Sequence, residues 1–361
     1  MEVLFANTVI VFICSYLGSY KGNYLSKGIE IEGYRKFFLL IAILSLCSIS
    51  GLRDFVGTDY ELYSTIYYRL ATTDISVSLK DYNNDLGFVL LCKLLGFISL
   101  DDRIFFIVTS LIINLLFYNS LKRYATPFEL AVFLFITSYH YYTSFNIIRQ
   151  YLAMAVVFWA TKYLISRKFI TFIVFIVLAS TFHLSAIIMI PVAFIARRSF
   201  NISTILILII TTLGAYFGYE SIIRFGVSSL NVERYKYYID VLTRNERSSN
   251  IIYFFVWLVL TILLVLFRKK IIVKMKNYDL FLNLYMMSGI FQVLAWKHNY
   301  LFRLGLYFDM YGLVIIPMLT RIFDKSMNAF VYVSIIIIYF IYSTFLLLRG
   351  IGGILPYQWG F

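Results

Sequence analysis

Four short segments place arginine, histidine and carboxylate side chains beside apolar runs, where charged groups are costly unless they have a partner or a ligand. They are RDFVGTDYELY at 53–63, FNIIRQYLA at 145–153, FHLSA at 182–186 and RLGLYF at 303–308. A planar guanidinium binds phosphate or carboxylate through two parallel hydrogen bonds. An imidazole takes a proton from a hydroxyl at neutral pH. These residue types suit a reaction between an anionic substrate and a hydroxyl group.

Arg149 follows Asn146 at the predicted start of an apolar helix. A cation in the first turn opposes the helix dipole, whereas an anion is stabilised there. A bound anion removes this conflict if the guanidinium and the backbone N–H groups left available by an Asn146 N-cap hold it together. The structural alternative is an arginine whose charged end extends to the membrane surface.

His183 lies beside Ser185 between two apolar runs and is a candidate general base. The alternative is a packed, hydrogen-bonded histidine. In the first segment, Gly57 permits a turn that aims Asp59 and Tyr60 back at the membrane surface. The alternative there is a capped helix start, because Thr58 or Asp59 suits the N-cap of a helix that begins at Tyr60.

The last segment adds Arg303 and Tyr307, which share a helix face, and His298 precedes it. The acidic run DYNND at 81–85 is expected to be a solvated loop rather than a cation site. Three cysteines without paired spacing indicate neither a disulfide framework nor a metal site. HExxH, G-x-S-x-G and phosphate-loop motifs are absent from the sequence. We therefore expect no cofactor and no metal, with a metal held by Asp54 and Asp59 as the open alternative.

The composition indicates that the helices that position these residues lie in a membrane. Of the 361 residues, 61% are hydrophobic and 14% are charged, which excludes a soluble globule. We expect an all-α polytopic membrane protein, a single integral membrane domain over 1–361, with about 12 transmembrane helices (11–14). The predicted spans are 2–19, 37–51, 104–121, 129–145, 150–165, 169–182, 184–196, 202–219, 251–267, 279–296, 304–320 and 328–348.

Lysine and arginine in the loops predict the orientation. With the N-terminus outside, the cytoplasmic side carries 18 basic residues and five acidic ones, whereas the outer side carries 14 of each. The outer side has ten Arg and four Lys, the inner side seven Arg and eleven Lys, which favours an anionic ligand outside. The excess positive charge thus reflects topology and anionic lipid, not nucleic acid. Two outer loops are predicted, 52–103, with an interfacial or re-entrant helix at 86–100, and 220–250.

In their order and spacing, the four segments resemble the EpsG-type family of Wzy-like polymerases, which build bacterial surface polysaccharides. The resemblance covers nearly the whole chain and implies a GT-C-like architecture in the bacterial cytoplasmic membrane, with an active site on the extracytoplasmic side. It implies that polyprenyl-diphosphate-linked oligosaccharides are both donor and acceptor, and that transfer inverts the anomeric centre. A chain-length regulator and a flippase of the same pathway are expected partners, together with the lipid bilayer.

By hypothesis, His183 assists the attacking hydroxyl, with Asp59 as the second candidate, and Arg149 offsets the charge of the leaving group. The residues expected to hold the diphosphate are Arg53, Arg149, Gln150 and Arg303. Those expected to contact the rest of the substrate are Tyr60, Asn146, Ser185, His298 and Tyr307. Three rival functions stay open on sequence: a flippase or transporter of the same lipid-linked sugar, an O-antigen ligase-like transferase and a membrane O-acyltransferase.

Overall fold

The computed structural model describes residues 1–19, 28–82, 85–219, 221, 251–298 and 300–360. Within these ranges the regular elements are helices, and one isolated antiparallel bridge joins Arg53 to Trp359. Contacts divide the chain into two compact units, Met1–Ile190 with Phe323–Phe361, and Pro191–Ile322. The expectation of a single membrane domain stays a prediction, and the predicted outer loop 220–250 lies outside the described residues apart from residue 221.

The first unit contains most of the predicted site. Its α-helices, in chain order, are α1 Glu2–Ser19, α2 Gly28–Gly51, α3 Tyr60–Thr72, α4 Ile75–Asp81, α5 Leu86–Gly96, α6 Asp102–Tyr124, α7 Phe128–Thr137, α8 His140–Thr143, α9 Ile148–Ile165 and α10 Phe169–Ser180. A 3-10 helix, Leu184–Ile188, continues into α11, Met189–Ala196, and the boundary between the two units falls within α11, after Ile190.

The second unit contains α12 Ile202–Phe217, α13 Ile251–Leu266, α14 Arg268–Lys274, α15 Tyr278–Leu294, α16 Leu301–Asp309, α17 Gly312–Ile315 and the 3-10 helix Ile316–Arg321. Part of its core is a cluster of apolar side chains from α12, α15 and α16. The chain then returns to the first unit through α18, Lys325–Leu348, and a short 3-10 turn, Ile351–Gly353.

Five helical segments in the described ranges are long and apolar enough to cross a membrane: Glu2–Ser19, Glu32–Gly51, Asp102–Tyr124, Leu301–Arg321 and Lys325–Leu348. Several apolar helices of 10–17 residues accompany them. This supports an all-helical membrane protein, while the number twelve and the GT-C-like architecture stay predictions. Helix α5 has 11 residues, well short of the ~20 needed to span hydrocarbon, and its interfacial or re-entrant position stays a prediction.

The centre of the first unit is formed by α6, α7 and α9. Every residue of α7 is buried, as expected for a helix that is apolar on all sides. Stacked rings fill the space between these helices: Phe117 of α6 lies 4.9 Å from Phe135 of α7 and 5.9 Å from Tyr151 of α9, between ring centroids. This packing fixes the start of α9, where Arg149 lies.

The predicted span 129–145 is broken in the structure. Helix α7 ends at Thr137, and Tyr139 adopts a left-handed backbone conformation with φ of 77°. A non-glycine residue in this region stops a right-handed helix. The Tyr139 hydroxyl donates to the Ile351 carbonyl at 2.8 Å, which helps to hold the break. The residues that follow turn towards the first outer loop instead of continuing the span.

Candidate active site

Arg149 forms an ion pair that the sequence analysis did not predict. Its Nη1 lies 2.5 Å from Oδ2 of Asp85, and the two side chains are 22% and 10% exposed. The guanidinium also lies 5.6 Å from the centroid of the Phe88 ring. Asp85 precedes the first residue of α5, so the expectation that 81–85 is a solvated loop is wrong at this position. A mostly buried arginine needs a counter-charge. Asp85 provides it, although it lies 64 residues away in the sequence.

Tyr63 of α3 joins this pair to Asp59. The backbone N–H of Arg149 donates to the Tyr63 hydroxyl at 3.4 Å. Of the two predicted N-cap candidates, Thr58 and Asp59, Asp59 is the N-cap residue of α3, although its side chain makes no capping hydrogen bond. Burial raises the pKa of Tyr63, and Arg149 opposes part of that rise. Tyr63 is therefore a neutral hydroxyl at pH 7. We call Asp59, Tyr63, Asp85 and Arg149 the outer polar cluster, after the predicted orientation of the chain.

The segment that carries His183 is hydrogen-bonded to the same helix as Asp85. The backbone N–H groups of Gly87 and Phe88, in the first turn of α5, donate to the Thr181 carbonyl at 2.9 and 3.4 Å. A Cβ at Gly87 would lie 2.3 Å from the Thr181 hydroxyl oxygen, so this close approach requires glycine. His183 is half-buried and is the N-cap residue of the 3-10 helix that contains Ser185. The structure thus brings the His183 segment next to the outer polar cluster.

Arg53 is buried and bonded to backbone oxygens. Its guanidinium donates to the carbonyls of Ser50, Val56 and Phe145, the first at short range and the other two at 3.1 Å. It also lies 4.7 Å from the ring centroids of both Phe106 and Phe145. Burial lowers the pKa of Arg53 to about 10, so the side chain is charged at pH 7. This geometry favours a role in holding the loop after α2 over direct contact with a diphosphate.

Asn146 connects three separate segments of the chain. Its Oδ1 accepts from the backbone N–H of Asp59 at 3.3 Å, and its Nδ2 donates to the Gly352 carbonyl at 2.9 Å. The prediction of Asn146 as the N-cap of α9 is wrong, because the helix begins at Ile148 and its N-cap residue is Ile147. The side chain is already engaged with the loop before α3 and with the turn after α18.

The segment 351–360 packs along the first outer loop, a contact with no signal in the sequence pattern. Backbone hydrogen bonds join Gly57 to Gly353 at 2.9 Å and Thr58 to Gly352 at 3.1 Å. Further along, Asp54 pairs with Gln358 and Leu52 with Gly360, at 3.1 and 2.8 Å. The loop that ends at Asp59 is therefore held by main-chain bonds from the other end of the chain.

Three more predicted residues of the first unit lie close to these elements. Tyr60 is buried and stacks on Phe106, with ring centroids 4.3 Å apart, and its hydroxyl donates to Asp54 at 3.4 Å. Gln150 is buried in α9 next to Arg149. Ser185 is half-buried in the 3-10 helix. Tyr60 and Gln150 thus belong to the packed support of the outer polar cluster.

His298, Arg303 and Tyr307 lie in the second unit. Tyr300, which the sequence analysis did not select, lies between two of them: its ring stacks on His298 at 5.3 Å and faces the Arg303 guanidinium at 5.0 Å. Arg303 is exposed, whereas Tyr307 is fully buried in α16. The side chains of His298 and Tyr307 are thus enclosed by the second unit, and Arg303 presents its charge at the surface.

In chemical terms, the outer polar cluster combines a fixed cation, a neutral phenol and two carboxylates, and the segment that carries His183 is hydrogen-bonded to the start of α5. Such a set suits the binding of an anionic leaving group and the removal of a proton from a hydroxyl. Within the described residues, no group of three or more His, Cys, Asp and Glu side chains is arranged to hold a metal ion.

A family model described as the EpsG family matches residues 36–359 of the chain. The matched range contains every residue of the outer polar cluster as well as His183, Arg303 and most of segment 351–360. No curated protein matches the chain, and no solved structure matches it.

Proposed function

The chain belongs to the EpsG family of polysaccharide polymerase-type membrane proteins, and on that premise we propose that it joins polyprenyl-diphosphate-linked oligosaccharides by inverting glycosyl transfer. The proposed location is the extracytoplasmic face of the bacterial cytoplasmic membrane, in a GT-C-like architecture. The asymmetric distribution of lysine and arginine supports this orientation, because basic loops stay on the cytoplasmic side.

The observation that carries the proposal is the Arg149–Asp85 pair at the start of α9. Asp85 compensates the guanidinium charge and fixes its orientation through one nitrogen, Nη1. A guanidinium has five N–H donors, so donors beyond this bond can meet phosphate oxygens. Nearby backbone N–H groups at the start of an 18-residue helix add partial positive charge. This arrangement suits the diphosphate of a lipid-linked donor.

In the proposed reaction, a hydroxyl oxygen of the acceptor saccharide forms a bond to the anomeric carbon of the donor. The bond between that carbon and the diphosphate oxygen breaks, and the lipid diphosphate leaves with the electron pair. His183 accepts the hydroxyl proton, with Asp59 as the second candidate. Arg149 offsets the charge that develops on the departing oxygen. Attack by one nucleophile from the face opposite the leaving group inverts the anomeric configuration.

The supporting residues have separate proposed roles. Arg53 and Asn146 hold the loop that ends at Asp59, through the carbonyl and amide contacts described above. Tyr63 fixes the backbone of Arg149. Arg303 is proposed as a further diphosphate contact because it is an exposed cation on the predicted outer side.

The test is incubation of the purified protein, reconstituted in vesicles, with the lipid-linked repeat unit of its host. A ladder of lipid-linked saccharides that differ by one repeat unit supports polymerisation. Repeat units that cross the bilayer without joining would establish a flippase. A single transfer to a different acceptor lipid would establish a ligase, and acyl transfer to a sugar would establish an acyltransferase; each of these three outcomes overturns the proposal.

A further inference from the structure

An open surface groove with a volume of about 500 Å³ lies between helix α3 and the loop before α6. This volume lies within the ~300–1,000 Å³ of typical ligand sites. The groove is lined by Ser64, Thr65, Tyr68, Arg69, Leu100, Asp101 and Asp102. None of these residues belongs to the outer polar cluster, so the groove is a separate surface.

The two walls of the groove are held together by hydrogen bonds. Tyr67, a fully buried residue of α3, donates its hydroxyl to the Ser99 carbonyl at 2.5 Å. The Ser99 hydroxyl accepts from the backbone N–H of Asp101 at 3.0 Å, and Asp101 caps α6 by accepting from the Arg103 N–H at 2.9 Å. Neither wall needs a ligand to keep its position, so the groove is formed in advance.

The lining has the chemistry of a saccharide site. The Tyr68 side chain is 58% exposed and offers an aromatic face against which the C–H groups of a sugar ring can pack. The carboxylates of Asp101 and Asp102 accept hydrogen bonds from sugar hydroxyls, and the hydroxyls of Ser64 and Thr65 can donate or accept.

Charge narrows the class of ligand to neutral sugars. The groove carries two carboxylates and one guanidinium. The Arg69 guanidinium is ion-paired with Asp81, and the Asp101 carboxylate lies 4.0 Å from the Arg103 guanidinium, so Asp102 leaves one negative charge in excess. An anionic sugar would therefore meet a net negative surface. A neutral, hydroxyl-rich saccharide meets hydrogen-bond acceptors and an aromatic ring without this repulsion.

The groove also lies within reach of the proposed chemistry. Asp59 is the N-cap residue of α3, and Ser64 and Tyr68 follow on the same helix. With a rise of 1.5 Å per residue, they lie about 8 Å and about 14 Å along the axis from Asp59. At about 100° per residue, Tyr68 lies on the opposite side of α3 from Asp59. An oligosaccharide whose reacting end is near Asp59 therefore reaches the groove by passing around α3 as well as along it.

We propose that this groove binds a neutral stretch of the saccharide chain, two to several sugars away from the bond that forms. The inference rests on the proposed function, because it gives the polymerase a second contact with its substrate, independent of the diphosphate. Such a contact retains the growing chain between additions and so determines how long the polymer becomes.

The experiment measures binding of a lipid-free oligosaccharide, made of repeat units of the host polymer, to the purified protein by saturation-transfer NMR. We expect Tyr68→Ala to weaken binding about fivefold through loss of the aromatic contact, and Asp102→Asn to weaken it through loss of a charged acceptor. Tyr34→Ala is the matched control, because Tyr34 is 66% exposed on α2, at the predicted cytoplasmic end, and should leave binding unchanged.

Arg149→Ala should also leave this binding unchanged, since the probe has no diphosphate. In the polymerisation assay, Tyr68→Ala should raise KM for the acceptor about fivefold with kcat unchanged and should shorten the ladder. If the wild-type protein does not bind the oligosaccharide, or if wild type and Tyr68→Ala bind it equally, the proposed saccharide site is wrong. A ladder formed by the wild-type protein would still support the proposed polymerase function. If binding depends on Tyr68 but the wild-type protein forms no ladder, the saccharide site is supported and the polymerase function is refuted.

Discussion

Replacement of Asp85 by asparagine isolates the charge that orients Arg149. Asparagine keeps the size of the side chain, and the start of α5 does not depend on it, because Asp85 makes no capping hydrogen bond there. The bond lost joins two mostly buried groups at 2.5 Å. Charge-assisted hydrogen bonds contribute about 1.5–3 kcal/mol, and partial exposure places this one near 1.5–2 kcal/mol. If the orientation of Arg149 matters in the transition state, kcat/KM falls about 10- to 30-fold.

The assay is the initial rate of ladder formation by the purified Asp85→Asn variant over a range of lipid-linked substrate concentrations. Asp279→Asn is a matched control: Asp279 pairs with Arg268 at 2.6 Å, and the side chains are 17% and 24% exposed. That pair lies on the predicted cytoplasmic side, so its loss should lower thermal stability and leave kcat/KM within about twofold. Full activity of Asp85→Asn, or an equal loss of activity in Asp279→Asn, would refute the role given to Asp85.

Three further substitutions test the supporting residues. His183→Ala should lower kcat by about 100-fold or more at saturating substrate, because the hydroxyl loses its proton acceptor; a kcat within twofold of wild type would remove His183 from the chemistry. Asn146→Ala should lower the free energy of unfolding by about 1–3 kcal/mol, because the Gly352 carbonyl loses its hydrogen bond. Hydrogen exchange of the backbone N–H groups in 52–59 should accelerate, and unchanged exchange would contradict this role. Arg53→Lys should lower the free energy of unfolding in detergent by about 1.5–3 kcal/mol, because an ammonium group cannot reproduce all three carbonyl contacts of the planar fork; an unchanged melting temperature would argue against it.

The sequence was sufficient to predict the features that depend on local pattern. Apolar runs predict α1 as 2–19 and α9 as 150–165, close to the observed Glu2–Ser19 and Ile148–Ile165. The start of α3 at Tyr60 follows from the preference of Asp59 for an N-cap position. The expense of an arginine beside a membrane helix correctly singled out Arg149 as a residue that needs a partner.

The sequence was not sufficient to identify that partner, because pairing across 64 residues leaves no trace in periodicity. One usable signal existed: Asp85 immediately precedes the apolar helix α5, and a carboxylate beside an apolar run is costly without a partner. The contact between segment 351–360 and the first outer loop had no such signal. It consists of backbone hydrogen bonds, which any residue except proline can make as a donor, so the side chains do not specify it.

Arg53 shows why residue type alone does not decide a role. The sequence places an arginine directly after a helix at the predicted outer surface, which suits a diphosphate contact. In the structure the same guanidinium is buried between two aromatic rings and bonded to three carbonyls. Five N–H donors equip arginine equally well for phosphate and for a loop with unpaired carbonyls, and only the surroundings decide between them.

The most direct test of the central claim, that Arg149 binds the diphosphate of a lipid-linked donor during polymerisation, is ladder formation by purified Arg149→Ala. Arg349→Ala, which removes an exposed arginine of the same predicted side, is the control. We expect wild type and Arg349→Ala to convert the lipid-linked repeat unit into a ladder, and Arg149→Ala to leave it unconverted. A full ladder from folded Arg149→Ala would contradict the account.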